Sequence, residues 1–138
     1  MKKFSVIIAV FVFLLVASGA FAEDLSGQWS ADVISADTRC EDLGWDPVGN
    51  YTIEILKGEK SIIIVPERPH VRYVGKFLPD IPNKAHLRAT YMKDGGYLTE
   101  IVDIDFKNSQ SATGKTVWQW SDGVFACGGS YSFVLKRQ

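Results

Sequence analysis

The stretch KTVWQWSDGVFACGG, Lys115 to Gly129, decides how the chain is read. Trp118 and Trp120 stand two residues apart, so an extended backbone points both to the same face. An Asp-Gly pair between alternating apolar segments is the strongest local signal for a β-hairpin. Taken as a two-residue turn, Asp122-Gly123 sets Trp120 opposite Phe125 and Trp118 opposite Cys127. Cys127 then faces inward with the tryptophans, near the start of the last strand.

Upstream, the chain is a succession of short period-two runs rich in β-branched and aromatic residues. They fall at 25–35, 48–57, 60–66, 70–78, 84–93, 97–107, 112–121 and 125–136. Turn-forming residues separate them: Lys57-Gly58-Glu59-Lys60, Pro66-Glu67-Arg68-Pro69, Pro79-Asp80-Ile81-Pro82-Asn83, Lys93-Asp94-Gly95-Gly96 and Lys107-Asn108-Ser109-Gln110-Ser111. Eight strands joined by hairpins predict an all-β, eight-stranded antiparallel up-and-down barrel that closes the last strand onto the first. A two-sheet β-sandwich is the alternative.

The first residues, MKKFSVIIAVFVFLLVASGAFAED, read as a bacterial-type secretory signal. Lys2 and Lys3 precede the apolar run Val6 to Ala17, which is shorter than the roughly 20 residues of a membrane span. Ala20-Phe21-Ala22 is a small-x-small cleavage site, and no cysteine follows it to carry a lipid. The expectation is a signal peptide over 1–22 and a single β-barrel domain over 23–138, periplasmic or secreted and not anchored to a membrane. Taking Lys2 and Lys3 from the 15 basic residues leaves 13 against 16 acidic ones, a net charge of −3. That balance argues against nucleic acid as a partner. In an exported chain, its two cysteines, Cys40 and Cys127, are expected to pair. Cys40 lies in the one long connection, Ser35 to Pro47, at the end of the first strand. In a closed meander that end meets the start of the eighth strand, so the disulfide and the closure agree.

Asp24-Leu25-Ser26-Gly27-Gln28-Trp29 resembles the Gly-x-Trp opening strand of calycin-type barrels, the lipocalins and avidins. The resemblance covers this strand and the strand count. It implies a tryptophan plugging the closed end of an eight-stranded meander that holds a small ligand. The C-terminal helix usual in lipocalins has no counterpart here, and avidin's biotin-contacting residues do not align.

Alternation places Leu25, Trp29, Val33, Tyr51, Ile53, Ile55, Ile62, Ile64, Val71, Tyr73, Phe77, Leu87, Tyr91, Leu98, Val102, Ile104, Phe106, Trp118, Trp120, Phe125, Tyr131, Phe133 and Leu135 inside. An eight-stranded barrel is only just wide enough for its side chains, so a filled core and a cavity at the mouth both stay open. One inward position breaks the apolar pattern. Glu100, between Leu98 and Val102, falls opposite Ala89 and near Trp120. A buried carboxylate needs partners. It either accepts from the Trp120 indole or from backbone amides of the lid loop, or marks the polar contact of a ligand site walled by Tyr91, Trp118, Trp120 and, from the lid loop, Trp45.

The outer face offers a second surface. Lys84 falls opposite Asp105 and His86 opposite Asp103, ordinary surface pairs. Arg72, Lys76 and Arg88 interleave there with Ile63, Val65, Val74, Ile101, Met92 and Tyr97, a pattern that suits a protein interface. Catalytic motifs are missing: there is no Gly-x-Ser-x-Gly, His-Glu-x-x-His, phosphate loop or Cys-x-x-Cys. The acids Asp37, Glu41, Asp42 and Asp46 lack EF-hand spacing, and His70 and His86 lack companion ligands. The expected function is therefore binding rather than catalysis, with no metal and no cofactor. The expected ligand is a small apolar or aromatic molecule at a lidded barrel mouth. The alternative is a protein-binding module, an inhibitor or envelope accessory protein, acting through the basic and apolar outer face.

Overall fold

A computed structural model describes residues 24–38, 40, 48–68 and 70–138. Eight strands follow in order: β1 (Gly27–Thr38), β2 (Gly49–Lys57), β3 (Ser61–Pro66), β4 (Tyr73–Phe77), β5 (Lys84–Lys93), β6 (Gly96–Phe106), β7 (Ser111–Ser121) and β8 (Ala126–Arg137). Each pairs antiparallel with the next, and β8 returns to β1 from Trp29↔Arg137 to Thr38↔Gly129, closing the barrel. Closure leaves no strand edge exposed, and it excludes the sandwich. The signal segment 1–22, Trp45, Glu41, Asp42 and Asp46 lie outside the described residues.

Turn chemistry sets the registers. Asp94 and Gly95 both take positive φ, 48° and 79°, and join Lys93 to its partner Gly96 in a tight two-residue reversal. That register puts Glu100 opposite Ala89, Lys84 opposite Asp105 and His86 opposite Asp103, as expected. The Asp122-Gly123 turn differs from expectation. Trp120 lies opposite Cys127, not Phe125, and Trp118 lies opposite Gly129. The Asp122 carboxylate accepts the amides of Val124 (2.8 Å) and Phe125 (2.7 Å), and its own amide donates to the Phe125 carbonyl at 3.2 Å. The reversal thus spans Asp122 to Phe125. It shifts the register by two residues, which preserves the inward face. Phe125, expected inside, is 50 % exposed in the turn, its ring centroid 6.3 Å from that of Trp120. Tyr51, also expected inside, is exposed at the barrel mouth.

The two ends of the barrel differ. Where β1 begins, Leu25, Trp29, Ile55, Ile62, Leu87, Ile104, Phe106 and Leu135 fill the interior completely. The Trp29 indole N–H donates to the Leu25 carbonyl at 3.0 Å, and its ring meets Phe106 edge-on at 6.0 Å. Arg137 lies 6.0 Å over the same ring and donates to the carbonyls of Asp24 (2.6 Å) and Ser26 (2.7 Å). A single guanidinium therefore ties the chain's entry to its exit, and its planar fork suits that task better than an ammonium would. At the opposite end a Cys40–Cys127 disulfide, Cα–Cα 5.5 Å, fastens the segment after β1 to the start of β8. Cys40 is buried there with Leu98, Trp118 and Trp120.

The disulfide spans 87 residues. By the chain-entropy argument, closing a loop of that size contributes about 4 kcal/mol. Cys127→Ser, or reduction of the bridge, is expected to lower Tm by more than about 10 °C in a scanning calorimeter. An unchanged Tm under reductant would show that the cysteines are not paired in the native protein.

Candidate functional site

Strand β6 alternates buried and exposed positions along its length, and Glu100 occupies a buried one. It is only 4 % exposed. Its cross-strand neighbours are Ala89 on β5 and Trp118 on β7. The single methyl group of Ala89 leaves space on that side, and phenols enter from three other strand positions. Tyr73 of β4 and Tyr91 of β5 both donate to Glu100 Oε2, the latter at 2.8 Å. Tyr131 of β8 donates to Oε1 at 2.8 Å. The carboxylate thus accepts from phenols inside the barrel, while the Trp120 indole donates elsewhere.

These bonds set the protonation of the phenols. Burial raises the pKa values of Tyr73, Tyr91 and Tyr131, and the negative charge of Glu100 raises them further. A phenolate there would be both desolvated and beside a like charge. All three are consequently fixed as hydrogen-bond donors.

The cluster stands in a cavity of about 610 Å³, within the usual range for small-molecule sites. Val33, Ile53, Ile64, Leu98, Val102, Phe133 and Leu135 contribute apolar walls, and Trp118 adds an indole. Thr116 is fully buried in the same wall beside the Tyr131 phenol, and its hydroxyl has no other hydrogen-bond partner among the described residues. The rim carries Glu67, Arg68 and Lys93. Burial lowers the Lys93 pKa, and the nearby positive charge of Arg68 lowers it further.

Of the residues singled out in the sequence, Glu100, Tyr91 and Trp118 line this cavity. Trp120 stands beside it. Its indole N–H donates to the Lys93 carbonyl at 2.7 Å, and a Cβ added at Gly96 would come within 2.5 Å of its ring. Trp120 thereby clamps the β5–β6 hairpin onto β7. Tyr73 and Tyr131 are the site residues that sequence reading placed inside without assigning them a role. Their inward alternation was visible, but their meeting at Glu100 depends on barrel curvature, which no local pattern encodes.

On the outside, Ile63, Val74, Arg88, Ile101 and Val117 are successive cross-strand partners from β3 to β7. Val74 is 55 %, Ile101 40 % and Val117 54 % exposed. Arg72 and Lys76 are exposed nearby, and the Arg72 guanidinium donates to the Val71 carbonyl at 2.8 Å. His86 and Asp103 form an exposed surface pair at 2.7 Å.

Fold and site together define a closed, singly disulfide-bonded β-barrel, filled at one end and hollow at the other. Models of known families, curated proteins and solved structures were each compared with the chain, and none matches.

The raised phenol pKa values give a pH test. The folded chain holds these protons more tightly than the unfolded chain, whose tyrosines ionise near pH 10. Stability should therefore fall as pH rises above about 10. In a Tyr51→Phe/Tyr97→Phe background, phenolate absorbance is expected to rise only together with loss of the circular dichroism signal. Full phenolate absorbance from a still-folded barrel would contradict the burial of the three phenols.

Proposed function

We propose that this protein is an exported binding protein that holds a small, largely apolar molecule in the hollow half of its barrel. The observation that carries the reading is a carboxylate 4 % exposed, fixed by three tyrosine hydroxyls, in an otherwise mostly apolar cavity of about 610 Å³. Maintaining a charge and a void in a domain of this size costs stability, which a filled apolar core would avoid. Glu100 orients the ligand, Tyr91 and Trp118 form its walls, and Trp120 holds the rim in place. The resemblance of the Gly27-Gln28-Trp29 opening to calycin-type barrels points the same way, toward a small-molecule carrier rather than an enzyme. The disulfide fits an oxidising compartment, periplasmic or extracellular.

A second reading rests on the exposed outer row, where Val74 and Ile101 flank Arg88 and Val117 follows Ile101. Such a surface suits a protein partner, and separate substitutions distinguish the two readings.

A neutral naphthalene-based fluorophore should bind the purified, oxidised protein saturably, with one site per chain. Val102→Phe, which fills the cavity from mid-barrel, and Trp118→Ala are each expected to weaken binding at least tenfold. Arg72→Glu with Arg88→Glu should leave it unchanged. Binding that survives Val102→Phe but is lost in the double arginine variant would move the site to the outer face.

A further inference from the structure

The Glu100 cluster narrows the chemistry of the ligand, on the binding reading above. Its three donors are neutral phenols, and the cation that acts on it, Lys93, stands at the cavity rim and not among the groups bonded to it. A buried charge without a directly bonded countercharge is costly, even when it is hydrogen-bonded. Nor are its acceptor positions full. A carboxylate offers about four lone-pair sites, two on each oxygen. Among the described residues, Oε2 receives Tyr73 and Tyr91, whereas Oε1 receives Tyr131 alone.

Two further features converge on that opening. Thr116 Oγ1, fully buried in the same cavity wall, lies beside the hydroxyl of its cross-strand neighbour Tyr131 and has no other partner among the described residues. Around the carboxylate lie the rings of Tyr73, Tyr91, Tyr131 and Trp118, whose faces carry negative quadrupole density and attract cations. At the rim, Arg68 and Lys93 stand with Glu67. Two cations at the entrance make an ammonium unfavourable there and favourable deeper, at the carboxylate.

We infer that the cavity takes a ligand with a protonated primary or secondary amine at its buried end and an apolar or aromatic remainder. The ammonium donates to Glu100 Oε1 and to Thr116 Oγ1 and neutralises the buried carboxylate. The apolar part fills the space between Trp118 and the aliphatic walls.

Three probes of one shape but different charge test this by displacement of the naphthalene fluorophore: phenethylamine, phenethyl alcohol and hydrocinnamate. Phenethylamine is expected to bind at least tenfold more tightly than the alcohol, and hydrocinnamate most weakly. Glu100→Gln should reduce the amine preference to within about twofold. Thr116→Val, which removes a buried hydroxyl whose neighbouring polar group is the Tyr131 phenol, should weaken amine binding severalfold while the barrel still folds. The wild-type series decides the matter even if Glu100→Gln does not fold. An alcohol that binds as tightly as the amine, tighter hydrocinnamate binding, or a preference that survives Glu100→Gln would overturn the inference. In those cases fluorophore binding blocked by Val102→Phe would leave the binding reading standing. Failure of the fluorophore itself to bind would remove both.

Discussion

The pairing of β1 with β8 is the constraint on which everything else depends. Without it the chain would be an open sheet with two exposed edges and no interior. Three features secure it from different directions. The backbone ladder runs nearly the length of β1, with one bulge between Val33 and Ser35. Arg137, near the end of β8, reaches the carbonyls that precede β1 and covers Trp29. The disulfide joins the far end of β1 to the start of β8. Cross-linking at one rim and a guanidinium clamp at the other hold the same seam at both ends.

A sealed seam makes an enclosed interior available, and the sequence fills it unevenly. Trp29, Phe106 and their aliphatic neighbours pack one end completely. Toward the other end, bulk gives way to polarity, with Ala31, Thr116 and Glu100 facing inward among tyrosines. The Glu100–tyrosine cluster spans the barrel from β4 and β5 through β6 to β8. It braces a hollow section that side-chain packing alone does not support, and it also places a buried acceptor where a ligand would lie. On the proposed binding reading, the same four side chains would serve both bracing and recognition.

Much of this was legible from residue order. Period-two alternation and turn residues marked all eight strands, because antiparallel hairpins write their pattern locally. The Asp94-Gly95 turn gave the β5–β6 register outright, since both positions adopt positive φ. The Asp122-Gly123 turn did not, because the Asp122 side chain captures two following amides and lengthens the reversal. Glu100 stood out as the one charged residue on an apolar face. Its partners did not, because Tyr73 and Tyr131 approach it across strands whose spatial relation follows from closure and curvature. Trp120 illustrates the same limit. Its inward direction could be read, but not that its indole would be spent on the Lys93 carbonyl.

The central claim is that the hollow half of the barrel is an occupied binding site. Native mass spectrometry of the non-reduced protein from the cells that produce it tests this most directly, with the Val102→Phe variant measured alongside. The account predicts a chain two protons lighter than its reduced mass, carrying one small adduct that is released on denaturation and absent from the variant. A wild-type chain without any adduct, or the same adduct on both proteins, would contradict it.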